Sequence, residues 1–249
     1  ESRVQGLLTA CAIVLCLSIV GCQSGPAGDD AESAAGRDAS PRFSSTALNE
    51  VGLEELWYNP PRRGGHKVSG AWLLPDGLFV ATQPVQGRAG ALKRIQKDDG
   101  MPKWDYPLDL PLAVSPTAFH YPSLGPGRDD ELYITQGDAV VCLGLEHGQL
   151  LWKRSAPHSL STSVIADEER YFAGSDIGTT FGAVNHRSVE AWQYTPGGSI
   201  DASPVADGTS VLAASTDGIC YSFSAAQGYQ QGTSWTFKTG ARITVPPVI

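Results

Sequence analysis

From Leu53 onward, apolar residues come in runs of four to six, and each run ends in a turn rich in Gly, Pro or Asp. One phrase carries the pattern: Ala139-Val-Val-Cys-Leu-Gly-Leu-Glu-His-Gly-Gln-Leu-Leu-Trp152 is an apolar run, a glycine turn, and a tryptophan four residues after Gly148. Leu92 to Trp104 repeats it, with Gly100 four residues before Trp104 and Ile95 in the place of Leu143. Phe181 to Trp192 repeats it with Ser188 in the glycine place, and Cys220 to Gly228 reaches Trp235 after an insertion. With Trp57 as the first mark, the tryptophans step by 47, 48, 40 and 43 residues. Self-similarity at that period marks a propeller or solenoid.

The stretches between tryptophans fill in the repeat. A small-residue strand follows each one, predicted at Ser69–Leu74, Ser115–Phe119, Ser161–Ile165, Ala202–Ala206 and Thr244–Ile249. An acidic or Gly-containing turn then leads to a more hydrophobic strand, at Leu78–Thr82, Glu131–Thr135, Arg170–Gly174 and Ser210–Ala214. A hairpin signal, clearest at Thr216-Asp-Gly218, opens the strand that begins the next phrase. Four short strands per repeat and no helical period predict an all-β chain, a β-propeller of four-stranded antiparallel blades. Small residues place the first strand nearest the axis. The tryptophan then belongs to the outermost strand and packs on the glycine turn of a neighbouring blade. Gly100, Trp104, Gly148, Trp152, Trp192, Gly228 and Trp235 are accordingly expected to form structural clasps. Four blades are complete by Trp235, and the strands that would join Thr244–Ile249 to the strand of Trp57 are missing. The propeller is expected to be incomplete and open, with further blades in the native protein.

The phrase resembles the repeat of pyrroloquinoline-quinone-type (PQQ-like) propellers, Ala-x-Asp-x-x-Thr-Gly-x-x-x-Trp. Gly100, Gly148 and Gly228 match its glycine, and Trp104, Trp152, Trp192 and Trp235 its tryptophan. The Ala place holds Arg94, Cys142 and Ser222 and the Asp place Gln96, Gly144 and Ser224, so the repeats are degenerate. The resemblance covers about residues 53 to 249 and implies a fold rather than an activity, because such blades serve enzymes and binding scaffolds alike.

The first fifty residues are of another kind. Arg3 precedes a mostly apolar run, Leu7 to Val20, which is shorter than the ~20 residues that span a bilayer and has the length of a signal-peptide core. Ile19-Val20-Gly21-Cys22 resembles the lipobox of bacterial lipoproteins, which implies acylation of Cys22. Residues 1–21 then read as a lipoprotein signal peptide and 22–50 as the lipidated cysteine and a flexible tether. That tether is rich in Gly, Ala, Ser and Asp, with a reach of about 30 Å. Residues 51–249 hold the propeller repeats. Gln23, where retained inner-membrane lipoproteins carry Asp, favours the outer membrane by analogy.

Composition narrows the chemistry. A net charge of −8 over 249 residues leaves no basic face for nucleic acid. Of five cysteines, only Cys142 and Cys220 lie in the repeats, in corresponding strands of non-adjacent blades; they read as buried thiols. The histidines, His66, His120, His147, His158 and His186, show no metal-ligand spacing and read as loop residues, and Asp98-Asp99 and Asp129-Asp130 as solvated turn formers. No phosphate loop or nucleophile elbow occurs. Trp72 stands outside the repeat position, in a strand predicted near the axis, and is the candidate for ligand contact.

These features together suggest a lipid-anchored, non-enzymatic scaffold for envelope proteins, on the periplasmic face of a bacterial membrane, similar to outer-membrane-assembly lipoproteins. It would need no metal or cofactor. The alternatives are a quinone-dependent oxidoreductase, using PQQ and calcium through residues outside this sequence, and a periplasmic sensor or glycan-binding propeller.

Overall fold

The computed structural model describes residues 67–249, apart from 84–88, 123–128, 157, 176–180, 186–189, 230, 232 and 233 and the side chains of 181–190. Among the described residues there is no helix, and the strands form four sheets of four. The first blade contains β1 (Val68–Leu74), β2 (Gly77–Thr82), β3 (Gly90–Ile95) and β4 (Pro102–Leu108). The second contains β5 (Thr117–Phe119), β6 (Glu131–Gln136), β7 (Ala139–Gly144) and β8 (Leu150–Ser155). The third is β9 (Ile165–Ala166), β10 (Arg170–Gly174), β11 (Phe181–Asn185) and β12 (Glu190–Tyr194), and the fourth β13 (Val205–Ala206), β14 (Ser210–Ala214), β15 (Ile219–Ser224) and β16 (Thr236–Lys238). Every pairing is antiparallel and between sequence neighbours, the arrangement of propeller blades.

The middle strands show why the apolar runs are continuous rather than alternating. Leu132 and Ile134 of β6, with Val141 and Leu143 of β7, pack against Phe79, Leu92 and Trp104 of the first blade. The residues between them, Tyr133, Val140 and Cys142, pack against Tyr171 and Ala173 of the third. Phe172, one step along β10, meets Val211 and Phe223 of the fourth. Side chains still alternate with the strand period of two, but both faces meet another blade, so β6 and β7 are buried at every position. The outer strands have solvent on one side: in β4 only Trp104 and Leu108 are buried.

Among the described residues the phrase folds as a glycine turn in the first, second and fourth blades and carries a bulge in the first three. Gly100, Gly148 and Gly228 adopt φ of 69°, 69° and 73°. Their N–H groups donate to the carbonyls of Gln96, Gly144 and Ser224, four residues back. A residue with a Cβ is strained at that left-handed φ, which is the physical reason for glycine there. Arg94, Cys142 and Ala183 pair directly with Trp104, Trp152 and Trp192, and in all three blades the register slips at the next pair. The residue before each tryptophan, Lys103, Leu151 or Ala191, is the extra one of a β-bulge, which re-aims the indole toward the following blade.

Several expectations need correction. The inner strands are short: Ser115, Pro116, Ser161–Val164 and Ala202–Pro204 lie outside β5, β9 and β13, because Ser161 and Ser163 bond segments outside their own blade and proline lacks an N–H for a ladder. Thr244–Ile249 forms no strand and is largely exposed, since among the described residues no strand pairs with it. Cys142 is buried, but Cys220 only in part; both are free.

Gly148 and Gly208 separate backbone strain from crowding. Both have positive φ, but a Cβ on Gly148 would sit 2.5 Å from the Trp104 ring, whereas one on Gly208 meets nothing within 4 Å. Gly208→Ala should cost about 1 kcal/mol and Gly148→Ala about 2–5 kcal/mol in urea unfolding, strain alone against strain plus overpacking. Equal costs would show that Trp104 does not press on this turn.

Candidate functional site

The most concentrated polar chemistry among the described residues lies where the turns of the first and second blades meet. Trp104, buried and set by its bulge, lies across Gly148 and donates Nε1–H to the Leu145 carbonyl at 3.1 Å. Trp192 does the same two seams further on, between the third and fourth blades, lying across Gly228 and donating to Ala225 at 3.0 Å. In both, the acceptor is three residues before the glycine. The turn therefore offers a flat backbone surface and a carbonyl at one fixed place.

Arg94 occupies the position that is Cys142 in the second blade and Ser222 in the fourth, where a small side chain is the rule. Its guanidinium reaches in two directions. Nε and Nη2 donate to the Asp76 carbonyl at 3.3 and 2.8 Å, bracing the β1–β2 turn of its own blade. Nη1 donates to the Leu145 carbonyl at 2.8 Å and to Glu146 Oε2 at 3.0 Å in the next. Lys103, the bulge residue, pairs with the other Glu146 oxygen. Lys103 and then Arg94 hold the Glu146 carboxyl below its usual range. On the same rim His120, between β5 and β6, stands between two carboxylates: Nδ1 is 2.8 Å from Asp130 Oδ2 and Nε2 is 3.2 Å from Asp76 Oδ2. The second Asp130 oxygen accepts the Tyr121 N–H at 3.1 Å.

Inside the second blade, Tyr133 donates its hydroxyl to the buried Glu131 at 2.5 Å, and burial pushes the Tyr133 hydroxyl and the Cys142 thiol far up. A thiol held protonated in this way is a packing group rather than a nucleophile. In the fourth blade, Asp217 caps its hairpin by accepting Ile219 N–H, the Tyr221 hydroxyl and, from the third-to-fourth connection, Gly197 N–H. Burial alone would raise the Asp217 carboxyl; these donors outweigh it and hold it low.

The sequence-derived residues fall into three groups. Ile19, Val20, Gly21 and Cys22 lie outside the described residues, as do Trp57 and Ser188. Trp152 is part-buried and stacks on Tyr171 at 5.1 Å. Trp235 departs from the clasp expected of it: it is 50% exposed and lies across no glycine turn among the described residues. Phe237 beside it is 61% exposed. Trp72 pairs with Phe79 in β1, is half-buried against the core shared by the first two blades, and lies so close over Gly70 that a Cβ there would be 2.3 Å from its ring.

The roles of Arg94 and His120 are what the sequence reading missed. An arginine in a small-residue strand position was the available signal for the first. For the second no signal exists, since Asp76 is 44 residues away. Asp130, read as a solvated turn former, is a partner in this network.

Consecutive four-stranded antiparallel blades, two of whose seams are closed by an indole on a glycine turn, define a β-propeller protein. No protein-family model matches the chain, and no curated protein does. Among solved structures, BamB from Moraxella catarrhalis is similar over 68% of this chain and 47% of its own, at 16% identity and a TM-score of 0.49. The quinohemoprotein alcohol dehydrogenase ADHIIG from Pseudomonas putida HK5 is similar over 55% of this chain and 22% of its own, at 20% identity and a TM-score of 0.44. The chain thus spans less than half the length of either.

Arg94→Met should cost about 1–3 kcal/mol, because the Asp76 carbonyl loses its donor at the seam. Lys103→Met removes only an exposed pair and should cost under about 1 kcal/mol. Paired urea titrations decide this, and the reverse ranking would refute the assigned role of Arg94.

Proposed function

We propose that this protein is a lipid-anchored propeller scaffold of the bacterial envelope that binds protein partners without catalysing a reaction. The observation that carries the reading is where the polar side chains go. Arg94, Glu146, His120, Asp76, Asp130 and Asp217 bind one blade, or one turn, to another. Side chains tied up in this way serve rigidity. What they leave facing solvent includes the apolar edge of outer strand β8, with Leu150 and Leu151 raised by the bulge, and the Trp235–Phe237 edge of the fourth blade. Edges and apolar patches of this kind suit protein contacts.

The anchor rests on the sequence. The Ile19–Cys22 lipobox and the small-residue tether behind it would attach the blades to a membrane and hold them clear of the headgroups, with the outer membrane favoured by Gln23. Among the described residues no helix is long and apolar enough to cross a membrane.

Cys22→Ala should move the protein from the membrane fraction to the soluble periplasmic fraction, because the sequence offers one acylation site. Retention of the variant in membranes would refute the anchor. Cross-linking in intact cells should recover envelope proteins on the wild-type chain. Dye reduction on alcohols or sugars after reconstitution with PQQ and calcium would refute the scaffold and establish the oxidoreductase reading.

A further inference from the structure

His120 sits on the seam between the first and second blades with a carboxylate at each ring nitrogen. Asp130, immediately before β6, is on its own blade, at 2.8 Å from Nδ1. Asp76, from the β1–β2 turn, is on the other, at 3.2 Å from Nε2. A neutral imidazole carries one N–H and one lone pair, so it can donate to only one of these carboxylates and must turn a lone pair toward the other. An imidazolium donates to both. The contacts as they stand are those of the doubly protonated ring.

We propose that His120 is a pH-sensitive tie across this seam, closed while the ring carries both protons and released on the Asp76 side when it loses one. The partners are fixed in advance. Asp130 is oriented by Tyr121 N–H on its other oxygen, and the Asp76 turn is held through its carbonyl by Arg94. The charged groups facing the ring are these two carboxylates, and Arg94 is already engaged with Glu146 and the backbone of the same seam. The hydrogen bond to Asp130 comes first among the causes that raise the His120 pKa above 6.5; burial opposes them and Asp76 adds to the rise.

The sign follows from linkage. A basic group whose pKa is higher in the folded chain stabilises the fold fully below its unfolded value, about 6.5, and this contribution is lost as pH rises through the folded value. Raising the pH thus removes the His120 tie, beside which the Arg94 bonds to the Asp76 and Leu145 carbonyls also span this rim.

The test uses the whole chain, with His120→Gln and Asp76→Asn variants. His120 is followed by NMR titration, and urea midpoints are taken at about pH 5.5 and 8.5, either side of the transition. His120 should titrate above its value in the urea-unfolded chain, and Asp76→Asn should lower it. The wild-type midpoint should fall further between the two pH values than that of His120→Gln. The His120 side chain is 52% exposed, so the glutamine variant keeps the fold. Parallel midpoint changes in the two proteins, or a titration at or below the unfolded value, would overturn the tie. An Asp76→Asn variant that titrates like wild type would confine His120 to its own blade, and so would also overturn it.

Discussion

The fold depends on one contact, made repeatedly: an indole laid flat on a glycine turn of the next blade, with its N–H on a carbonyl of that same turn. Sheets of this size have two apolar faces and cannot be stable alone in water. The contact fixes the angle and spacing at which one sheet covers the next. The continuous burial of β6, and of β10 after its first residue, follows from it, because once both faces of a middle strand are covered, every residue of that strand is inside. The demands on the turn follow too. Only a residue without Cβ lets the ring approach this closely, and glycine takes the left-handed φ of the turn without strain.

Where the sequence allows a variation, the structure shows a local exchange of one interaction for another. Arg94 replaces a small residue and supplies a bidentate tie to two blades. Gly70 occupies the register position of Ser115, Ser163 and Ser203, and these serines link their blades: Ser163 donates its hydroxyl to the Ser115 carbonyl at 2.8 Å and its N–H to Ser203 Oγ at 3.2 Å. At Gly70 the Trp72 ring fills the space in which such a serine would stand. The first blade therefore contributes an aromatic ring to the inner strand where the others contribute a hydroxyl.

The blade phase, strand order and clasp position were legible in the sequence because they depend on local patterns: a run, a turn, and a tryptophan at fixed spacing. The His120 and Arg94 networks depend on which turns the packing brings together, and residues 44 and 51 apart carry no mark of that. The bulge was hidden for another reason. Lys103, Leu151 and Ala191 share no side-chain property, so nothing in composition singles out the position before the tryptophan. The shortness of the inner strands is not legible, because small polar residues suit a ladder as well as a lateral bond, and Ser161 and Ser163 donate their hydroxyls to other segments.

The clasps also have a direction. Trp104 reaches forward to Gly148 and Trp192 forward to Gly228, so the first and third blades leave their outermost indoles to be covered by residues about forty positions later in the chain. During synthesis from the N-terminus, a newly finished blade carries an uncovered tryptophan until the next phrase has emerged and turned. Assembly is thereby vectorial: each blade is completed by its successor and in turn presents the surface on which the following one condenses.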